Sequence, residues 1–128
     1  MLQQEILAVV LSVLLANILK AIIHAWNGEA VRMFHLGGMP SAHSATVSSL
    51  FFVVYYETGA SLFLLIVAVF GWLVIRDAFG VRWEVSKHSI ALNKLVKKEE
   101  FGVAGHTKLE VLAGVLLGFV VTVVVYLI

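Results

Sequence analysis

The chain of 128 residues contains no cysteine, so disulfide bonds and thiol chemistry are excluded. It has a single proline, Pro40, and only 13% charged residues. That share of charge is about half of what a soluble domain carries. Basic residues are missing from one set of connections altogether, as the order of the apolar segments shows below. What remains is an apolar chain: 61% hydrophobic residues and a mean hydropathy of +1.00. A soluble core of this length does not need so much apolar surface, so the composition points to one membrane-embedded domain spanning 1–128.

Four apolar segments run from about Glu5 to Trp26, Ser41 to Tyr56, Ala60 to Ile75 and Leu109 to Ile128. Crossing a bilayer core of about 30 Å takes roughly 20 helical residues. Lipid offers no partner to an open backbone group, so all four segments are read as helices. The first lacks the basic start and small-residue cleavage site of a signal peptide and is read as retained. The expected fold is an all-α integral membrane protein of about four transmembrane helices. A further amphipathic helix is expected within residues 76–108, where Val85, Ile90, Leu92, Leu95 and Val96 are interleaved with Lys87, Lys94, Lys97 and Lys98.

With four spans, the connections at 27–40 and 76–108 share one side. They hold Arg32, Arg76, Arg82, Lys87, Lys94, Lys97, Lys98 and Lys108, and Lys20 lies near that end of the first helix. The other side has Glu5 and Glu57 and no lysine or arginine. The positive-inside rule places the basic side in the cytoplasm and both termini outside. Membrane lipids are the expected partners, and no nucleic acid is.

Two polar stretches stand at the mouths of membrane-length segments on that basic side. In "GGMPSAHSA", residues 37–45, Pro40 and Ser41 read as a helix start with His43 in the first turn. Gly37 and Gly38 allow close backbone approach, and free N–H groups at a helix start attract phosphate. In "AGHTKLEVLAG", His106 lies at or near another helix start, and Glu110, four residues on, shares its face. A carboxylate there fixes the imidazole tautomer and leaves the second ring nitrogen as a nucleophile. Two histidines at two helix starts, with cations nearby, suit phosphoryl transfer.

These stretches resemble the type 2 phosphatidic acid phosphatases, which are related to vanadium-dependent haloperoxidases, and more closely their small divergent branch. The features that carry the resemblance are "GGMPSAHSA", "DAFGVR" at 77–82 and "GHTKLEVLAG" at 105–114. The resemblance implies a phosphohistidine mechanism in which His106 is the nucleophile, Glu110 orients it and His43 is the general acid. It implies phosphate contacts from Ser41 and Gly38, and no metal or other cofactor. The family's Arg-Pro and Ser-Arg elements are replaced here by Asn27-Gly28 and Glu99-Glu100. Arg82, Lys20, Arg76 and Asp77 are therefore the candidates at the phosphate.

Several of these residues have plainer readings. Asp77 and Arg82 can simply pair with each other, and Lys20 can snorkel from a helix end. His24, His35 and His88 read as interfacial, as do Trp26, Trp72 and Trp83. Gly114 and Gly118 form a small face for helix packing within one chain or in a homodimer. The expected activity is that of a membrane lipid phosphatase acting on phosphatidic acid or phosphatidylglycerol phosphate. A polyprenyl diphosphate phosphatase and a non-catalytic lipid-binding or scaffold protein are the alternatives.

Overall fold

The computed structural model describes residues 2–28, 38–96, 101–102 and 105–128. Arg32, His35, Gly37, Lys97, Lys98, Glu99 and Glu100 fall outside these residues. The described elements are five helices: α1 (Leu2–Trp26), α2 (Ala42–Thr58), α3 (Leu62–Phe79), α4 (Val81–Leu95) and α5 (Lys108–Leu127). Among the described residues every regular element is helical, as the membrane-length apolar runs require.

Short polar residues start three of the helices. Ser41 caps α2, Ser61 caps α3 by accepting from the Leu64 N–H at 3.1 Å, and Thr107 caps α5. Gly59, at φ +61°, ends α2 in a conformation that a Cβ would strain.

Among the described residues, three helical stretches are long and apolar enough to cross a membrane: Gln3–Trp26, Leu62–Leu95 and Lys108–Leu127. The middle one is α3 continued by α4, with only Gly80 between them. The expected surface helix therefore begins at once after the third span, with no intervening loop. At 17 residues, α2 is about 25 Å long, just short of the hydrocarbon thickness. It is also the centre of the bundle, packed against α1, α3 and α5. The count of four spans is thus approximate.

The packing is inverted relative to a soluble protein. Large apolar side chains such as Leu14, Ile22, Phe63, Phe70, Leu116 and Val124 point outward. The interior holds small and hydroxylic residues: Ala8, Ser12, Ala16, Ser44, Ala45, Ser49 and Thr122. In lipid, large apolar groups gain nothing by leaving the surface, whereas small residues let helices approach and bond. Gly114 and Gly118 show this directly. A Cβ on Gly114 would collide with the Ser41 carbonyl oxygen, and one on Gly118 with that of Ala45. The glycine face therefore seats α5 on α2 within one chain. Between them, Ser48 donates to the Val115 carbonyl at 2.7 Å, and the Ser49 and Thr122 hydroxyls lie 2.8 Å apart.

This arrangement brings the C-terminal ends of α1 and α3 to one end of the bundle, with the N-terminal ends of α2, α4 and α5. The opposite end is closed by Tyr126, which donates to Glu57 at 2.8 Å and stacks on Tyr56 at 4.9 Å.

Candidate active site

The start of α5 builds one half of the site. Thr107 and Glu110 form a reciprocal capping box: the Glu110 N–H donates to Thr107 Oγ1 at 3.3 Å, and the Thr107 N–H to Glu110 Oε2 at 2.9 Å. The same Oε2 lies 3.2 Å from His106 Nδ1. A carboxylate only accepts, so Nδ1 carries the proton and, in the neutral ring, Nε2 carries the lone pair. The cap that starts the helix thus also selects the tautomer. His106 is only 2% exposed.

The strand of chain leading into His106 is held by the α3–α4 corner. The His106 N–H donates to the Ala78 carbonyl at 3.0 Å. The Gly105 N–H donates to Ser86 Oγ at 2.7 Å, and Ser86 Oγ donates to the Arg82 carbonyl at 2.8 Å. A side chain on Gly105 would run into the backbone of Arg82 and Trp83, with contacts of 2.5–2.6 Å. Further out, Asn93 donates to the Phe101 carbonyl at 2.9 Å and accepts from its N–H at 2.7 Å. Phe101 is therefore fastened to α4 at Asn93, and Gly105 and His106 are held at Ser86 of α4 and Ala78 at the end of α3.

The start of α2 supplies the other half. The Ser41 N–H donates to the Glu110 carbonyl at 3.0 Å, which locks the two polar stretches together. Ser41 is buried, and its Oγ accepts from the Ser44 N–H at 3.4 Å and the Ser44 hydroxyl at 3.0 Å. Its hydroxyl is therefore engaged as a helix cap. His43, one residue into α2, is exposed, and the charges acting on it are those of Arg82, His106, Lys20 and Asp77.

Lys20 arrives from α1, 4% exposed, within electrostatic reach of Glu110. Gly38, at φ +94°, rests on it: a Cβ there would meet His24 Nε2 at 2.7 Å and Lys20 Cγ at 3.5 Å. The chain before α2 can thus lie on α1 only through a residue without a side chain. Arg82 bonds Asp77 through Nε at 2.5 Å, with both side chains 42% exposed. A pair this open adds at most about 1 kcal/mol to stability. Arg76 is exposed on the last turn of α3.

The structure therefore gathers Lys20, His43, Asp77, Arg82, His106 and Glu110 at one end of the bundle, with Ser41 and Gly38 as their backbone supports. Arg76 stands on the outside. The sequence reading missed Ser86 and Thr107. Thr107 was findable, because T-x-x-E ahead of an apolar run is the sequence mark of a capping box. Ser86 carries no such mark, since it is one polar residue among many in α4. Among the described residues, no three His, Asp or Glu side chains come together as a metal site would need.

Outward apolar helices, with a polar cluster gathered at one end, define an α-helical integral membrane protein. The chain belongs to the Divergent PAP2 family, whose sequence profile matches residues 1–121. It is similar to the uncharacterized membrane protein YuiD of Bacillus subtilis (strain 168), with 33% identity across 69% of this chain and 70% of the relative. No solved structure matches the chain.

Proposed function

We propose that the protein hydrolyses a lipid phosphomonoester, such as phosphatidic acid or phosphatidylglycerol phosphate, at the cytoplasmic face of the plasma membrane. The observation that carries this reading is the His106 Nδ1–Glu110 Oε2 contact of 3.2 Å with His43 at the adjoining helix start. His106 Nε2 attacks phosphorus while the phosphorus–oxygen bond to the lipid breaks. Protonated His43 gives its proton to the departing oxygen, and the lipid leaves as an alcohol. A water molecule then attacks the phosphohistidine, His43 takes its proton, and the nitrogen–phosphorus bond breaks to release phosphate. Lys20 and Arg82 offset the charge on the phosphate oxygens, and Glu110 offsets the charge that His106 acquires. The absence of lysine and arginine from the sequence that starts α1 and joins α2 to α3, against Lys20, Arg76 and Arg82 at this end, supports the cytoplasmic orientation.

One observation favours a second reading. At 2% exposure, His106 is closed off, and a phosphate reaches it only after the surrounding groups move aside. A protein that binds lipid phosphates without turnover needs no such opening. The deciding experiment is phosphate release by purified protein from a panel of lipid phosphates in detergent with EDTA, alongside His106→Ala. Release by the wild type alone is the expected result. Release that EDTA abolishes overturns the metal-independent mechanism. Silence from folded wild-type protein on every lipid establishes the second reading.

A further inference from the structure

Two apolar grooves flank the α2–α5 pair. One, of about 300 Å³, lies between α2, α3 and α5, lined by Val47, Phe51, Val67 and Ile75 among others. The other, of about 420 Å³, lies between α1 and α5, beneath Met39 and Pro40. Both fall in the size range of small-molecule sites, about 300–1,000 Å³. They differ in what stands at their polar ends.

All three walls of the α1–α5 groove lead into the charged cluster. On α5, Ala113, Leu116, Leu117 and Val120 share one helical face, and Glu110 is one turn before Ala113 on that face. On α1, Leu19 and Ile23 line the groove and bracket Lys20, which is buried and within electrostatic reach of Glu110. Pro40 forms the rim and is followed directly by Ser41, the cap of α2. From Ala113 to Val120 the wall extends about 10 Å along the helix. The α2–α3 groove has Val47 and Ile75 near its corresponding end, and the next charge along α3 is Arg76, which points outward.

Resting on the reading of the cluster as a lipid phosphate site, we infer that the α1–α5 groove holds the hydrocarbon chain of the molecule whose phosphate lies among Lys20, His43 and His106. The cations select an anionic head, and the lining admits only hydrocarbon, so the occupant is an amphiphilic phosphate entering sideways from the bilayer. Leu116, Leu117 and Ile23 are then specificity-determining residues: they read the chain and not the headgroup.

Photolabelling tests the groove without any need for turnover. Purified wild-type protein is irradiated with palmitoyl lysophosphatidic acid carrying a diazirine in mid-chain, and the labelled residues are mapped by mass spectrometry. The expected label falls on Leu116, Leu117 and Val120 or on Leu19 and Ile23. Unlabelled palmitoyl lysophosphatidic acid removes it, whereas monopalmitoylglycerol, with the same chain and no phosphate, does not. Leu116→Trp, which fills the groove from a lipid-facing position, loses the label. Labelling centred on Phe51, Val67 and Ile75, or label that both competitors remove equally, overturns the inference. Groove labelling by a protein that releases no phosphate upholds the binding site and sinks the hydrolytic reading. Release without groove labelling does the reverse.

Discussion

Glu110 performs two tasks with one oxygen, and substitution can separate them. Its Oε2 completes the capping box through the Thr107 N–H at 2.9 Å and faces His106 Nδ1 at 3.2 Å. Glu110→Gln keeps an acceptor oxygen at that place, and glutamine is as good as glutamate in a capping box. The fold should therefore change by less than about 0.5 kcal/mol. The charge, however, is gone. At 3.2 Å and an effective dielectric constant of about 20, a full positive charge on the ring interacts with the carboxylate by about 5 kcal/mol. If the ring carries half a charge in the transition state, the loss is about 2.5 kcal/mol, or roughly 10²-fold in kcat. The Michaelis constant should move little, because the neutral ring in the ground state gains little from the charge. Glu110→Ala removes both tasks: it should lose a similar or larger factor in rate and also about 0.5–2 kcal/mol of stability through the broken cap. The assay is phosphate release from lipid phosphate in detergent, beside thermal unfolding of each variant. Full activity in Glu110→Gln would refute the electrostatic role. Equal unfolding of the Gln and Ala variants would show that the carboxylate charge itself supports the fold.

Other consequences concern the supports of the site. Ser86→Ala leaves the buried Gly105 N–H without its acceptor and should cost about 1–3 kcal/mol in thermal unfolding. Ser86→Thr keeps the hydroxyl and should recover part of that. Gly114→Leu must push α5 from Ser41 and Ser44, at about 1–3 kcal/mol or more, and should lower both melting temperature and phosphate release; unchanged values would mean that α2 and α5 are not seated as described. Asn93→Ala loses both bonds to Phe101 and should speed proteolytic cutting near Phe101 while the helical circular dichroism stays constant. Tyr126→Phe removes a bond at the far, exposed end and should leave phosphate release unchanged.

Much of the fold was legible because lipid makes the code simple. Each apolar run became a helix within a few residues of its expected limits: Ser41–Tyr56 against Ala42–Thr58, and Ala60–Ile75 against Leu62–Phe79. Ser41 was readable as a cap, and His106 and Glu110 as partners, because both follow from local spacing. What escaped depends on contacts between distant segments. Nothing local says that α4 follows α3 after a single glycine, or that Ser86 receives the Gly105 N–H across 19 residues. The small face of Gly114 and Gly118 was visible, but its partner was not: only the close approach of the Ser41 and Ala45 carbonyls shows that it is used within the chain. The spacing of Lys20 suggested a helix-end cation, and its burial within electrostatic reach of Glu110 is a tertiary fact.

The seating of α5 on α2 also sets a timetable. The cluster draws on positions 20, 43, 77–82 and 106–110, so every helix must be in place before it exists. A chain is made from its N-terminus, and α5 comes after the other four described helices. Until then Ser41 has no Glu110 carbonyl to bond, and the buried serines of α2 face no glycine seam. The first four helices can enter the bilayer with their polar groups spread along the chain, and nothing in them gathers both histidines. Synthesis of α5 and assembly of the site are therefore one event, and this helix acts as the key that is cut into the same chain as its lock.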